Sequence, residues 1–443
     1  SCNQMSLESR LLDVLQPWRT APRWRVAFSG GLDSTALLHL LVRLSTRERF
    51  PPISAIHIHH GLQPAAEGWP EHCRSICQSL GIELQVVRVR VEPGPSLESA
   101  ARAARYAAFS GCLHTADVLF TGQHRDDQAE TLIFRLLRGA GVRGLASMPT
   151  VRALGEGWLV RPLLNVGRDE LEAYARAQRL SWVEDPSNQC TEHARNFLRH
   201  RVMPVLRQRW PRAVENMARA AGHLGEAQQL LDELAEIDLR KAHAPCRYQW
   251  LLMPKLSLLS LESLSPARQR NALRYWLADL TALPDSDHWA GWDALRDAAP
   301  DAAPVWRLAA GELHRGDGCL WWLSGSWLAT VAGPVDWPQP STDLQLPGNG
   351  FLRLSGYAGQ GLLQVRYRQG GESLKIPGRG RRDLKRLLNE AGMPGFVRSR
   401  LPLLFLDGEL VAVANLPQFD AQALSLQWSP PTVDTFELVG SFE

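Results

Sequence analysis

Several familiar signals are missing from this chain of 443 residues. No stretch reaches the roughly 20 consecutive apolar residues of a transmembrane helix, so no membrane partner is expected. No charged n-region and apolar h-region open the sequence, and a cytoplasmic location is expected. The seven cysteines (Cys2, Cys73, Cys77, Cys112, Cys190, Cys246 and Cys319) are scattered and odd in number. That fits reduced thiols better than a disulfide framework. There is no C-x-x-C to hold zinc or an iron–sulfur cluster. Cys73 and Cys77, spaced C-x3-C with Ile76 and Leu80 on the same helix face, are expected as core thiols. Net charge is also small, +3, too little to imply nucleic acid by itself. No internal repeat or low-complexity tract interrupts the chain. Its 45% hydrophobic content is ample for globular cores, and its length suggests roughly three domains.

The clearest positive signal is "WRVAFSGGLDSTALLHLL" at residues 24–41. Trp24, Val26 and Phe28 alternate with Arg25 and Ala27, which suits a strand. From Ala36 onward the leucines recur at helical spacing. Between strand and helix, Gly30 and Gly31 leave the backbone open to a ligand. The helix start supplies unpaired N–H groups and the positive end of a dipole. This is an anion site. A capped glycine-rich turn would explain the two glycines alone, but not the whole hexapeptide at a strand–helix junction. The turn lacks the lysine of a Walker A loop and the spacing of a dinucleotide fingerprint. Instead it offers Ser29, Ser34 and Thr35 hydroxyls and the Asp33 carboxylate, a partner for Mg²⁺ beside a polyphosphate.

The first part of the chain alternates strands (24–28, 53–59, 82–91, 117–121) with helices (from Ser34, 69–80, 96–110, 126–138). This predicts right-handed βαβ units and a Rossmann-like parallel sheet, with ligands at the carboxyl ends of the strands. "HIHHGL" (57–62) and "TGQHRDDQAET" (121–131) therefore converge on the rim that carries the glycine turn. In the second, Asp127 and Glu130 lie i, i+3 on a first helical turn, with Asp126 and His124 beside them. Acids there complement a helix dipole, but this many on one rim suits a cationic substrate, a proton acceptor or a metal. Leu132, Ile133, Leu136 and Leu137 are expected to form the buried face of that helix. His57 and His59 share one strand face opposite Ile56 and Ile58. His57 and His60 are expected near the nucleotide rather than on a metal.

From about Pro211 the texture changes to long amphipathic helix, then a Trp- and Gly-rich stretch of short strands, then an α+β segment from about 345. The fold class is α/β, with a mostly helical middle domain and a small α+β C-terminal domain; the boundaries are 1–211, 212–344 and 345–443. Two basic tracts stand out. "RNFLRHRVMPVLRQRWPR" (195–212) has six arginines and no acid, and "KIPGRGRRDLKR" (375–386) has six cations against Asp383. Each could be a solvated face; together they suit phosphate-backbone contacts. On them, Arg199, Arg201, Arg379, Arg381, Arg382 and Lys385 are candidate contacts to nucleic-acid phosphates.

The hexapeptide Ser-Gly-Gly-x-Asp-Ser resembles the PP-loop of ATP pyrophosphatases. Together with "HIHHGLQ", "ESAARAARYAAF", "TGQHRDDQAETLIFRLLRGAGVRGL", "RPLL" and "WVEDPSNQCTEHARNFLRHRVMPVL", it resembles the tRNA(Ile)-lysidine synthetases over about residues 24–211. The later segments are similar to the long, three-part members of that family. "TGQH" departs from the Thr-Ala-His-His of many relatives but keeps the histidine before the acids. The resemblance implies a ligase that joins free L-lysine to C2 of the wobble cytidine in the CAU anticodon of isoleucine tRNA. It would adenylate the C2 oxygen with ATP, release pyrophosphate and then AMP, and switch reading from AUG to AUA. ATP-binding residues would be Ser29, Gly30, Gly31, Leu32, Asp33, Ser34, His57 and His60, with Asp33 on Mg²⁺. Asp127 and Glu130 would bind lysine and help deprotonate it. Arg105 and Arg195 would stabilise phosphate charge, the first also readable as a surface ion pair. Asp33, Asp127, Glu130, Arg105 and Arg195 form the catalytic set. Asp185 and Asn188 are site neighbours or simple turn caps. A homodimer is left open.

Other classes fit less well. A tRNA thiolase of this superfamily would bring cysteines to the rim, and none is there. An amidotransferase would need a glutaminase segment. A purely RNA-binding module would leave Asp33, Asp127 and Glu130 without a purpose.

Overall fold

The structure, a computed structural model, describes residues 6–62, 64–92, 94, 96–245, 247–284, 286–421 and 423–434. Cys2 and Cys246 lie outside them. The chain divides into two compact units at Leu230/Leu231, within a helix spanning Ala213–Lys241.

In the first unit, apolar strands and leucine-rich helices build a six-stranded sheet. The strands are β1 (Trp24–Ala27), β2 (Ile53–His59), β3 (Glu83–Arg88), β4 (Val118–Phe120), β5 (Val151–Leu154) and β6 (Gly157–Val160). Their order is β3-β2-β1-β4-β6-β5, all parallel except β5 against β6. Helix α1 (Leu7–Leu15), ahead of the sheet, buries Leu11 and Leu15. Helices α2 (Leu32–Ser45), α3 (Trp69–Leu80), α4 (Leu97–Cys112) and α5 (Arg125–Leu137) follow β1 to β4 in turn. One core holds Trp24, Val26 and Phe28 with Leu37, Leu38, Leu41, Cys73 and Cys77. The other face packs Ile56 and Leu119 on Tyr106 and Phe109. The cysteine pair is therefore core, as its spacing implies.

Two sequence expectations need correction, and two elements were not expected. Helix α2 starts at Leu32, two residues before Ser34, which puts Asp33 in its first turn. The β5–β6 hairpin and α1 went unforeseen. Leu136 and Leu137 do not belong to a buried face: they are 58% and 73% exposed. Helix α5 buries its amino-terminal half instead, where Gln128, Ala129, Glu130, Thr131 and Leu132 are covered. The buried polar groups are bonded there: Gln128 donates to Met148 O at 2.8 Å and accepts from Met148 N at 2.9 Å.

The second unit carries small antiparallel sheets. β7 (Lys255–Ser257), β8 (Val305–Arg307), β9 (Glu312–Gly316) and β10 (Cys319–Leu323) pair in the order β7-β10-β9-β8, over a core of Trp292, Trp306, Trp322 and Leu273. β11 (Val335–Asp336), β14 (Leu363–Arg366), β17 (Leu403–Leu406) and β18 (Glu409–Val413) form another; β12 (Leu344–Gln345), β13 (Phe351–Ser355) and β19 (Ser425–Ser429) form a third. The basic tract at 375–386 is the hairpin β15 (Ser373–Ile376) and β16 (Gly380–Asp383) with the start of helix Leu384–Glu390. Among the described residues, no helix is long and apolar enough to cross a membrane.

Candidate active site

The turn after β1 folds on itself before it can fold on a ligand. Gly30 takes φ +87°, which a side chain rarely adopts, and a Cβ there would meet Cys73 Sγ at 3.1 Å and Val183 Cγ2 at 3.3 Å. Its carbonyl accepts from Val183 N at 2.9 Å. Ser34 Oγ accepts from Ser29 N at 3.2 Å and lies 3.0 Å from Ser29 Oγ. Gly31 is the N-cap of α2, without a side-chain cap, so the first N–H groups of that helix have no side-chain acceptor at the cap. The loop after β4 comes close enough that a Cβ on Gly122 would sit 3.2 Å from Asp33 C and Ser34 N.

That loop ends in His124, the N-cap of α5, whose backbone N–H donates to Asp127 Oδ2 at 3.0 Å. The imidazole lies 3.3 Å from Asp33 Oδ2 and 3.4 Å from Asp127 Oδ2. Burial opposes charge on His124, but Asp127, Asp33 and Asp126 outweigh it and raise its pKa to about 9. The ring Nε2 thus faces both carboxylates, while Nδ1 accepts from Asp127 N at 3.4 Å. Asp33, His124 and Asp127 each place a potential ligand atom within 4.8 Å of the others. Asp33 Oδ1 is buried and has no hydrogen-bond partner among the described residues.

Glu130 is 3% exposed. Burial raises its pKa and the Arg199 guanidinium opposes that rise. Arg199 donates from Nε and Nη2 to the two Glu130 oxygens, each at 2.9 Å, and from Nη2 to Asp127 Oδ1 at 3.1 Å. Arg199, expected on tRNA phosphates, is therefore seated on the acid pair expected to hold lysine. It rides a π turn, Leu198–Val202, between helices Ala194–Phe197 and Met203–Arg209. Sequence reading missed this contact because the acids lie about seventy residues away. The run 195–212 holds no acid of its own, and its partners lie outside it. Arg207 pairs with Asp126 and Arg212 with Glu215.

These groups open on one cavity of about 410 Å³. Ser29, Asp33, Ser34, His57, His60, Arg105, Asp127, Asp185, Arg195 and Arg199 line it, as do Arg102 and Tyr106, which sequence reading did not single out. Arg102 shares the α4 face of Arg105 at i−3, a spacing that could have flagged it. Gly30, Gly31 and Leu32 complete the loop beside it, while Glu130 lies behind Arg199. Burial pushes the His57 imidazole below its ordinary pKa, and its Nδ1 lies 2.9 Å from Phe28 O. Asp185 caps Ser187 N at 2.8 Å. Asn188 is not a lining residue; its carbonyl accepts from His200 Nε2 at 2.6 Å. Arg201 is exposed. Arg379, Arg381, Arg382 and Lys385 belong to the second unit and are exposed there, Arg379 paired with Glu390 and Arg381 with Glu409.

Comparison with known proteins matches residues 3–206 to a PP-loop domain, 256–321 to the TilS substrate binding domain and 363–428 to the TilS substrate C-terminal domain. A tRNA(Ile)-lysidine synthase from Pseudomonas fluorescens is 60% identical over 97% of this chain and 98% of its own. One from Coxiella burnetii is 39% identical over 92% and 91%. Among solved structures, a U34-tRNA thiolase from Methanococcus maripaludis overlays 49% of this chain and 78% of its own, at 17% identity and a TM-score of 0.41. With a 60% identical relative matched almost end to end, the chain belongs to the tRNA(Ile)-lysidine synthase family.

Proposed function

We propose that this chain ligates free L-lysine to C2 of the wobble cytidine in the CAU anticodon of isoleucine tRNA, consuming ATP. The observation that carries this is the cavity itself, where an anion-binding loop, Asp127 and the arginines at 105 and 195 meet, with Glu130 just behind Arg199. The loop N–H groups and Ser29 to Ser34 hold the polyphosphate. The C2 oxygen of cytidine attacks the α-phosphorus, the bond to the β-phosphate oxygen breaks, and pyrophosphate leaves. Arg105 and Arg195 stabilise the charge that develops on these phosphates. Asp127 accepts a proton from the lysine ammonium and passes it to solvent. The neutral Nζ then attacks C2, the C2–O bond breaks, and AMP departs with the oxygen.

Mg²⁺ fits the residues present, because Asp33 Oδ1 is a buried carboxylate oxygen without a partner among the described residues. Asp33 would hold the ion, which supplies charge neutralisation to the polyphosphate, as Mg²⁺ does when bound by one or two carboxylates and phosphates. Residues 1–211 carry the chemistry; 212–344 and 345–443 bind tRNA, with Arg379, Arg381, Arg382 and Lys385 on its phosphates, and Arg201 joins them from the first segment. The reading places the enzyme in the cytoplasm, and sedimentation would distinguish a monomer from a homodimer.

The test is transfer of radiolabelled lysine with Mg-ATP to unmodified isoleucine tRNA bearing CAU, beside methionine tRNA with the same anticodon. Label is expected on the first only, and Asp33→Asn should lower it by roughly a hundredfold or more. Folded protein that binds ATP and tRNA yet labels neither overturns the reading.

A further inference from the structure

We propose that Arg199 is the resident cation of the amine subsite and sets its selectivity, so that a substrate ammonium seats on Asp127 and Glu130 only by displacing it. This deepens the lysine assignment above and rests on it.

Both Glu130 oxygens are taken by the Arg199 fork, and the facing Asp127 oxygen by the same Nη2. The other Asp127 oxygen is taken by the His124 backbone N–H and faces its ring. Glu130 is buried and does not line the cavity, whereas Arg199 does. An ammonium arriving from the cavity therefore meets the guanidinium before it meets Glu130. A guanidinium is a better partner for a carboxylate than a single ammonium is, since its two parallel N–H groups match both oxygens. An amine that offers nothing but its charge cannot replace it. A substrate that also engages the cavity elsewhere can, and lysine carries an α-amino and an α-carboxylate for that purpose.

Two features let Arg199 leave. The fork uses Nε and Nη2 alone, and the side chain keeps 27% of its surface exposed, so one edge already faces the open space. Its backbone sits in a π turn. Such turns occur mostly as single-turn bulges inside α-helices, frequently at functional sites, and one residue of register there rotates a side chain by about 100°.

The test measures KM for lysine and competition by cadaverine, a diamine without the α-carboxylate, at saturating ATP and tRNA. In Arg199→Met, KM for lysine should fall by about tenfold, and cadaverine should change from a poor to an effective competitor. A KM that is unchanged or higher in folded, ATP-binding protein overturns the proposal. Should that variant not fold, Arg199→Lys decides: its single ammonium forms no fork, so KM should still fall, by a smaller factor, and an unchanged or higher KM overturns the proposal. Asp127→Asn in the Arg199→Met background separates the two claims. Loss of lysine affinity there keeps the acid pair as the amine subsite, whereas retained affinity removes that assignment and this inference with it.

Discussion

Gly30 joins strain, packing and function at one Cα. Its left-handed φ lets the loop turn back over α2, and its hydrogen face lies against Cys73 and Val183. Gly30→Ala meets both restrictions together. A side chain at positive φ costs about 1–2 kcal/mol, and the Cβ must push neighbours that are already close. The expected result is a loss of stability of that size in urea denaturation, accompanied by weaker ATP binding. Gly31 has an ordinary φ, and a Cβ there meets nothing closer than Ser29 Oγ at 3.4 Å; its alanine variant should keep stability. The hexapeptide was legible because its chemistry is contiguous. Ser29, Asp33 and Ser34 act within six residues of each other. The Arg199–Glu130 pair was not legible, because it joins two helical segments through the fold. A run of arginines read alone does not reveal which of them turn inward.

At the scale of elements, α5 shows how a site can invert an amphipathic pattern. Its leucines mark an apolar face in sequence, yet the first two turns bury Gln128, Glu130 and Thr131, and the last turn leaves Leu136 and Leu137 in solvent. The demand for a covered Glu130 outranks the stripe. Leu136→Gln with Leu137→Gln should therefore change stability by no more than about 0.5 kcal/mol, measured by urea titration. The β17–β18 region carries a different cost. Asp420 is buried beside it, accepts from Val413 N at 2.9 Å, and leaves Oδ2 without a partner among the described residues. Burial pushes its carboxyl up to about 6 from an ordinary 3.8, against the pull of its backbone donors. The folded state then holds a proton that the unfolded chain has released, so stability contributed by this group falls as pH rises from about 4 to 6. Asp420→Asn should remove that part of the slope in urea midpoints recorded across the window. The β5–β6 hairpin was invisible in the pattern because no helix separates its two strands, so it falls outside the strand–helix alternation that marks the others.

For the whole molecule, the near-balance of charge conceals an uneven use of arginine. Within the first unit, Arg199, Arg207 and Arg212 pair with acids, while Arg201 stays exposed. The hairpin of β15 and β16 exposes Arg381 and Arg382, and the ion pair at Arg381 is itself exposed and weak. Charge reversal at both should lower tRNA affinity with ATP binding retained. The slope of log K against log salt should become shallower by about 1 for each phosphate that the protein no longer neutralises. An unchanged slope would remove the hairpin from the tRNA surface.

The thiol packed behind the glycine turn is also a clock. Cys73 is fully buried, and burial pushes its pKa to about 12, so an alkylating reagent meets almost no thiolate and no open path. Only excursions that lift the loop or α3 expose the sulfur, and the modification rate then counts those excursions. ATP held by the loop should slow the clock, and Gly30→Ala should speed it. The motion that admits the nucleotide can thus be timed on the native chain, with no label added to the side where the chemistry happens.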